Sequence, residues 1–173
     1  FTEDSPPNPK NYTYAVYKKQ VEEYYKTFST REDLKIVNLR MTTAVGPSYY
    51  KKGGVVSSFT NAPVALLLNN INTRVQFIFE DDVKTLVEKI TDDETIEGIF
   101  NLCTENYTSL KELAQTQNKL AIYFPLWLLK FVFWLLWRLR LANFTPAMAE
   151  LMAYSIVATG KKLAQRYNYQ FQY

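Results

Sequence analysis

Histidine is absent from the 173-residue sequence, and cysteine occurs once, as Cys103. The lack of histidine excludes a Ser-His-Asp catalytic triad, a zinc site with histidine ligands and an imidazole pH switch. A single cysteine excludes an intrachain disulfide and a zinc site built from cysteines. The sequence therefore supports none of these catalytic or metal-binding sites. A single unpaired thiol is typical of a reducing compartment, so we expect a cytoplasmic protein.

Glycine is also scarce, with 5 residues, and the chain contains no GxxGxxG run. The formal net charge is only +3, and no run of basic residues is longer than two, so nucleic-acid binding is not indicated. Hydrophobic residues are plentiful at 47%, and aromatic residues reach 16%. This composition is typical of a folded globular chain and excludes intrinsic disorder.

Short branched apolar runs alternate with amphipathic stretches along the chain. The runs predict strands at Leu34–Leu39, Val75–Phe79, Ile99–Leu102 and Ile156–Val157. The stretches and their capping signals predict helices over Tyr14–Phe28 and Val83–Ile90, from Ser109 to Leu120, from Thr145 to Tyr154 and over Gly160–Arg166. In the first helix, the expected buried face consists of Ala15, Val16, Val21 and Tyr25. The alternation predicts an α/β fold with a largely parallel sheet.

Tyr14 and Lys18 lie four residues apart in the first predicted helix and therefore share a helix face. An ammonium group beside a phenol favours the phenolate and lowers the pKa of the tyrosine. Such a tyrosine is able to exchange a proton with a substrate hydroxyl or carbonyl group. The chain contains 13 tyrosines, so one match to this spacing is expected by chance, and Tyr107 with Lys111 is a second match.

The order of further motifs gives the Tyr14–Lys18 pair its context. Glu22 follows Lys18 by four residues, and the next strand ends in Arg40. Three motifs then follow in order, namely Gly46-Pro47, the FIFEDDV sequence of residues 77–83, and the FNL…SLKELA sequence of residues 100–114. Taken in this order, the set resembles the extended short-chain dehydrogenase/reductase superfamily of NAD-dependent epimerases and dehydratases. The resemblance extends over nearly the whole chain.

The resemblance implies a role for each matched residue. Tyr14 would be the general acid/base, and Lys18 would hold the nicotinamide ribose and tune Tyr14. The implied cofactor is NAD or NADP, and the residues implied to bind it are Tyr14, Lys18, Thr42, Thr43, Ala44 and Val45. Gly46 and Pro47 would contact the substrate, an alcohol or carbonyl compound such as a nucleotide sugar or another small molecule. Arg40 is expected to be structural, and Asp82 to cap a helix.

The fold implied by the resemblance is the C-terminal part of a Rossmann-type, doubly wound, mostly parallel sheet with a small, mainly helical substrate-binding region. Residues 1–50 would be the remnant of the dinucleotide-binding domain, and residues 51–173 the mixed substrate-binding region with late Rossmann-type elements. The superfamily opens with a glycine-rich phosphate loop, which this chain lacks, so we expect a fragment that is inactive alone. The alternatives are a non-catalytic binding or membrane-associated module descended from such an enzyme, and a sterol-type dehydrogenase.

The segment Phe124–Leu141 is strongly apolar, but Lys130, Arg138 and Arg140 interrupt it, which makes it marginal as a membrane span. Its tryptophans and cations suit a helix at a bilayer interface, so peripheral membrane contact is one prediction. A helix packed over the substrate pocket or against a partner subunit is the alternative, and the resemblance favours it. We also expect a fragment with uncovered sheet edges to form a homodimer, to exchange segments between copies or to aggregate.

Overall fold

The computed structural model describes residues 1–9, 12–48, 59–141 and 145–172. The helices that lie wholly within the described residues are α1 (Thr13–Lys26), α2 (Glu80–Asp92), α3 (Leu110–Thr116), α4 (Leu126–Arg138), α5 (Met148–Leu151) and α6 (Lys161–Arg166). Residues 47–48 and 59–61 are also helical. The strands are β1 (Val37–Met41), β2 (Thr43–Val45), β3 (Val64–Leu68), β4 (Arg74–Val75), β5 (Phe77–Phe79), β6 (Gly98–Leu102), β7 (Thr108–Ser109) and β8 (Leu120–Phe124).

The strands of the described residues pair two by two, and most of the pairs are parallel. β1 pairs with β6, β2 with β5 and β3 with β8 in parallel, whereas the short strands β4 and β7 are antiparallel. Each parallel pair joins strands that are distant in sequence, and a long connection runs between them, as parallel pairing requires. The predicted α/β class with mostly parallel strands is confirmed.

The hydrophobic core consists of separate clusters. The first cluster joins β5, α2, β6 and α6 through buried residues such as Ile78, Leu86, Leu102 and Leu163. The second cluster joins β3, α4 and α5 through Leu68, Leu129, Phe133 and Ala149. The third cluster joins β3 and α3 through Ala65, Leu67 and Ala114. The β3–β8 pair therefore packs in hydrophobic clusters that are separate from the cluster around β1 and β6.

Several element boundaries differ from the predictions. α3 ends at Thr116 instead of Leu120, because Asn118 has a φ of 51° and reverses the backbone before β8 begins. The helix predicted from Thr145 to Tyr154 is reduced to α5. Ile156 and Val157 form no strand, although both lie in the described part of the chain.

Candidate functional site

Tyr14 and Lys18 lie in the first turns of α1 on one face of the helix. The Lys18 Nζ atom is 5.5 Å from the centroid of the Tyr14 ring, and 59% of Tyr14 is exposed. The ring of Tyr12 lies 5.9 Å from that of Tyr14, and burial, followed by the neighbouring Tyr14, raises the pKa of Tyr12. The shared face predicted from the spacing is therefore observed, while the catalytic role of the pair stays a prediction.

An ion pair between Glu22 and Arg40 holds α1 against β1. The Arg40 Nε and Nη2 atoms donate to the two carboxylate oxygens of Glu22 at 2.9 and 2.6 Å. The Nη1 atom of Arg40 donates to the main-chain carbonyl oxygens of Glu3 and Ser5. The hydrogen bond from Arg40 is the largest influence on Glu22 and lowers the pKa of its carboxyl group. Arg40 is thus the structural residue that we expected, and it joins the N-terminal segment, α1 and β1.

Glu22 occupies the position that the sequence pattern assigned to apolar residues. Glu22 is only 8% exposed, whereas Val21 and Tyr25, which were expected on the buried face, are each 46% exposed. This part of the prediction was wrong, because the partner of the helix is the guanidinium group of Arg40 and not an apolar surface. The apolar residues of α1 therefore do not mark the side of the helix that packs.

Thr42 to Val45 follow the carboxyl end of β1. The Thr42 N–H donates to the carbonyl oxygen of Leu102 at 3.3 Å, which extends the pairing of β1 with β6. The Thr42 Oγ1 atom is buried and has no hydrogen-bond partner within the described ranges. Thr43, Ala44 and Val45 form β2. A buried hydroxyl without a partner is rare in a folded protein, and the carboxyl ends of parallel strands are the usual place for ligands.

Gly46 forms the turn after β2, residues 47–48 are helical, and the Glu80 side chain packs against this turn. Gly46 has a φ of +156°, and a Cβ atom at this position would collide with Cγ and Cδ of Glu80. The Ser48 N–H lies 3.3 and 3.2 Å from the two carboxylate oxygens of Glu80. Sequence reasoning missed Glu80 as a neighbour of this turn. The available signal was its place at the start of the acidic run in the matched FIFEDDV sequence.

The predicted site has two halves, the Tyr14–Lys18 pair and residues 42–47, and no described contact joins them directly. Within the described ranges, no hydrogen bond or ion pair connects Tyr14 or Lys18 with residues 42–47. Strand β1 links the Tyr14–Lys18 helix to residues 42–47. Arg40 lies within β1 and binds Glu22 of α1, and Thr42 directly follows the last residue of β1. Any ligand that contacts both halves would have to bridge them.

Asp82 does not cap α2 with its side chain, so that expectation was wrong. Phe79 is the N-cap residue, and no side chain caps it. Asp82 is fully buried, and its Oδ1 atom accepts hydrogen bonds from the Tyr169 hydroxyl group at 2.6 Å and from the Gln172 N–H at 3.3 Å. Asp82 therefore anchors the C-terminal segment.

The second match to the Tyr-x-x-x-Lys spacing does not reproduce the geometry of the first. The Tyr107 ring lies under the guanidinium group of Arg74, at 5.0 Å. Lys111 instead lines an open pocket with a volume of about 220 Å³, together with Asn70 and Tyr123. This pocket lies near the carboxyl end of β3, apart from the Tyr14–Lys18 pair.

The comparisons with known proteins agree with this architecture. The model of the NAD dependent epimerase/dehydratase family matches residues 1–103. The chain belongs to this family, which confirms the resemblance inferred from the motifs. No curated protein matches the chain.

Solved structures with the same fold include several sugar-nucleotide enzymes. UDP-glucose 4-epimerase from Thermus thermophilus, solved with NAD, is 20% identical, and the match covers 97% of this chain and 50% of that one with a TM-score of 0.61. UDP-N-acetylglucosamine 4-epimerase from Bacillus cereus is 17% identical over 99% of this chain and 55% of that one, with a TM-score of 0.63.

A human epimerase family protein solved with NADPH is 14% identical over 100% of this chain and 55% of that one, with a TM-score of 0.69. In each of these three comparisons, the chain spans about half the length of the solved protein. At these identities the likeness concerns the fold, and it confirms a Rossmann-type α/β architecture.

Proposed function

We propose that this chain supplies the catalytic helix and the substrate-binding region of an NAD(P)-dependent oxidoreductase, epimerase or dehydratase of the extended short-chain type. The observation that carries the proposal is the Tyr14–Lys18 pair on one face of α1. The substrate that we propose is an alcohol or carbonyl compound of the nucleotide-sugar class. Solved proteins with this fold that are named for UDP-sugar substrates support this choice.

The packing of α1 supports a common site for the pair and for residues 42–47. Glu22 lies beside Arg40, and the chain reverses between Lys26 and Val37. We infer that α1 runs back along β1, so that Tyr14 lies about 12 Å beyond Glu22 along the helix axis, towards the carboxyl end of β1. That end of β1 leads directly to Thr42.

The residues present fit the nicotinamide end of NAD or NADP. The Tyr14 hydroxyl and the Lys18 ammonium group are exposed donors suited to ribose hydroxyl groups. The buried Thr42 Oγ1 atom lacks a partner within the described residues, so a bound ligand would satisfy it. When bound, the nicotinamide ring would accept or deliver a hydride at the carbon that carries the substrate oxygen. Tyr14 would then exchange the proton of that oxygen.

Residues 1–50 and 51–173 form the proposed division into a dinucleotide-binding remnant and a mixed substrate-binding region. No glycine-rich phosphate loop occurs in these 173 residues, so we propose that this chain alone is inactive. A homodimer is part of the proposal, and the exposed Tyr17 and Tyr24 on α1 provide an apolar surface for a second copy.

The proposal is tested with Tyr14→Phe in the complete natural reading frame that contains this chain. The variant retains the ring but loses the proton, so kcat with a nucleotide-sugar substrate should fall by about 10²- to 10⁴-fold. Binding of NADH or NADPH, measured by fluorescence titration, should change little. Tyr25→Phe is the matched control, because Tyr25 lies on the same helix and is 46% exposed.

Three outcomes would contradict parts of this proposal. Undiminished turnover in Tyr14→Phe would remove Tyr14 from the mechanism. Absence of nicotinamide binding in the complete protein would favour the non-catalytic module. Turnover of a sterol but of no nucleotide sugar would favour the sterol-type dehydrogenase.

A further inference from the structure

Helix α4 has a second apolar face that no described element covers. Trp127, Phe131 and Trp134 follow one another at helical spacing on this face and are 69%, 52% and 45% exposed. Leu135 and Trp137 flank them and are 39% and 48% exposed. The rings of Phe131 and Trp134 stack with their centroids 5.9 Å apart. We call this surface the tryptophan face, and it contains all 3 tryptophans of the chain.

The opposite side of α4 fixes the orientation of the helix. Leu129 and Phe133 are 1% and 7% exposed and belong to the cluster that joins β3, α4 and α5. At the edge between this side and the tryptophan face, Lys130 forms an ion pair with Glu150 of α5, with 2.6 Å between the Nζ and Oε1 atoms. α4 is therefore anchored by ordinary core packing, and the tryptophan face is directed away from that core.

The stretch of sequence that contains the tryptophan face carries charge of one sign. Between Glu112 and Glu150, the sequence contains no aspartate or glutamate. Of the cations in this stretch, Lys119 donates to main-chain carbonyl groups and Lys130 binds Glu150. Arg138 and Arg140 are exposed, and neither side chain has a hydrogen bond or ion pair in the part of the chain that the structure describes. The face thus ends in two unneutralised guanidinium groups.

We propose that the tryptophan face binds an anionic lipid bilayer, with α4 lying in the plane of the interface. Indole rings favour the headgroup region, and guanidinium groups pair with lipid phosphates. α4 has 13 residues, and no helix in the described ranges is both long enough and apolar enough to cross a membrane. A second copy of the chain complements this face less well, because it would bring further arginines and no carboxylate of its own α4.

The inference goes beyond the proposed enzymatic function and is tested on the 173-residue chain itself. Vesicles of phosphatidylcholine alone are compared with vesicles of equal parts phosphatidylcholine and phosphatidylglycerol, by co-sedimentation and by tryptophan emission. Because every tryptophan lies on α4, the emission reports on this helix alone. We expect co-sedimentation and a blue shift with the anionic vesicles, and much weaker binding to the neutral vesicles.

Two double variants separate the contributions of apolar contact and charge. Phe131→Ser with Leu135→Ser should abolish vesicle binding, and Tyr154→Ser with Ile156→Ser is the matched control at exposed positions outside α4. Arg138→Gln with Arg140→Gln should lower the partition coefficient on anionic vesicles by about 25-fold, since each basic residue near such a surface contributes about fivefold. Lys84→Gln with Lys161→Gln should leave binding unchanged.

Either of two results would overturn the proposal. The first is the absence of a blue shift and of co-sedimentation with anionic vesicles. The second is a dimer in light scattering that Phe131→Ser with Leu135→Ser disrupts, together with no vesicle binding, which would assign the face to a second copy. Circular dichroism spectra that match the wild-type spectrum show that the variants are folded.

Discussion

The single thiol of the chain is held in a place where it is unreactive. Cys103 follows β6 and is fully buried, and burial is the main cause that raises the pKa of its thiol to about 12. Gly160 packs against its main chain so closely that a Cβ atom at Gly160 would collide with the Cys103 carbonyl oxygen. Only the thiolate is nucleophilic, so a buried thiol with a raised pKa resists modification.

This burial leads to a prediction for Cys103. At mildly alkaline pH, the native protein should react with a disulfide reagent such as dithionitrobenzoate at least about 100-fold more slowly than the urea-unfolded chain. The released chromophore provides the measurement. Rapid labelling of one thiol per chain in the native state would contradict the burial described for Cys103.

At the scale of secondary-structure elements, local signals were read correctly where the interacting residues are close in sequence. The capping box of α3 is an example, because the Glu112 N–H donates to Ser109 Oγ and the Ser109 N–H donates to the Glu112 carboxylate. β8 was missed because its pairing partner is β3, more than fifty residues earlier in the chain. Its residues follow α3 closely and carry no local signal that separates them from a longer helix.

The attachment of α1 depends on Glu22, and a substitution there should weaken it. Glu22→Gln replaces a charge-assisted bidentate contact with Arg40 by a neutral one, so the free energy of unfolding should fall by about 1–2 kcal/mol. Urea unfolding followed by circular dichroism measures this change. Glu23→Gln is the matched control, because Glu23 is exposed and lies 3.7 Å from Lys19 in a surface pair.

The Glu22–Arg40 pair also predicts a pH dependence. Arg40 lowers the pKa of Glu22 in the folded state, so the contribution of the pair is complete above the unfolded value of about 4.3. The contribution of the pair is lost as the pH falls through the lower pKa that Glu22 has in the folded protein. The stability difference between wild type and Glu22→Gln should therefore shrink on acidification, and a constant difference would show that Glu22 is not ionised in the pair.

At the scale of the whole molecule, the C-terminal segment closes the first core cluster. Tyr167, Tyr169 and Phe171 pack against this cluster. The Tyr169 hydroxyl group donates a hydrogen bond to Asp82 within α2. The Tyr167 hydroxyl group donates one to Asp93, which directly follows α2. The last residues of the chain thereby connect to elements more than seventy residues earlier.

Removal of one of these hydroxyl groups should weaken the whole fold. Tyr169→Phe leaves the buried Asp82 with one donor fewer, so the free energy of unfolding should fall by about 1–3 kcal/mol. Urea unfolding provides the measurement, and Tyr154→Phe at a half-exposed position is the control. An unchanged midpoint in Tyr169→Phe would show that the Asp82 contact does not contribute to stability.

The same contact predicts the behaviour of the protein at high pH. Burial, followed by the hydrogen bond to Asp82, raises the pKa of Tyr169 to about 12. The contribution of the Tyr169 hydroxyl group to stability is complete below its pKa in the unfolded chain, about 10. It is lost as the pH rises towards the pKa in the folded protein. Between these values, wild type should lose more stability than Tyr169→Phe does.

Several features of this protein follow from the sequence alone because they depend on residues a few positions apart. These features are the alternation of strands and helices, the capping box of α3, the shared face of Tyr14 and Lys18, and the ordered motifs of the family. The periodicity and spacing of residues along one element can be read directly from the sequence.

The tertiary structure was needed wherever a side chain finds its partner far along the chain. Glu22 is buried because Arg40 meets it, and Asp82 is buried beneath a tail that begins more than seventy residues later. Apolar residues occur all around α4, so its composition leaves open which face packs against β3 and α5 and which is exposed. Long-range contacts determine burial, and burial in turn determines which of these residues are available to a ligand or a membrane.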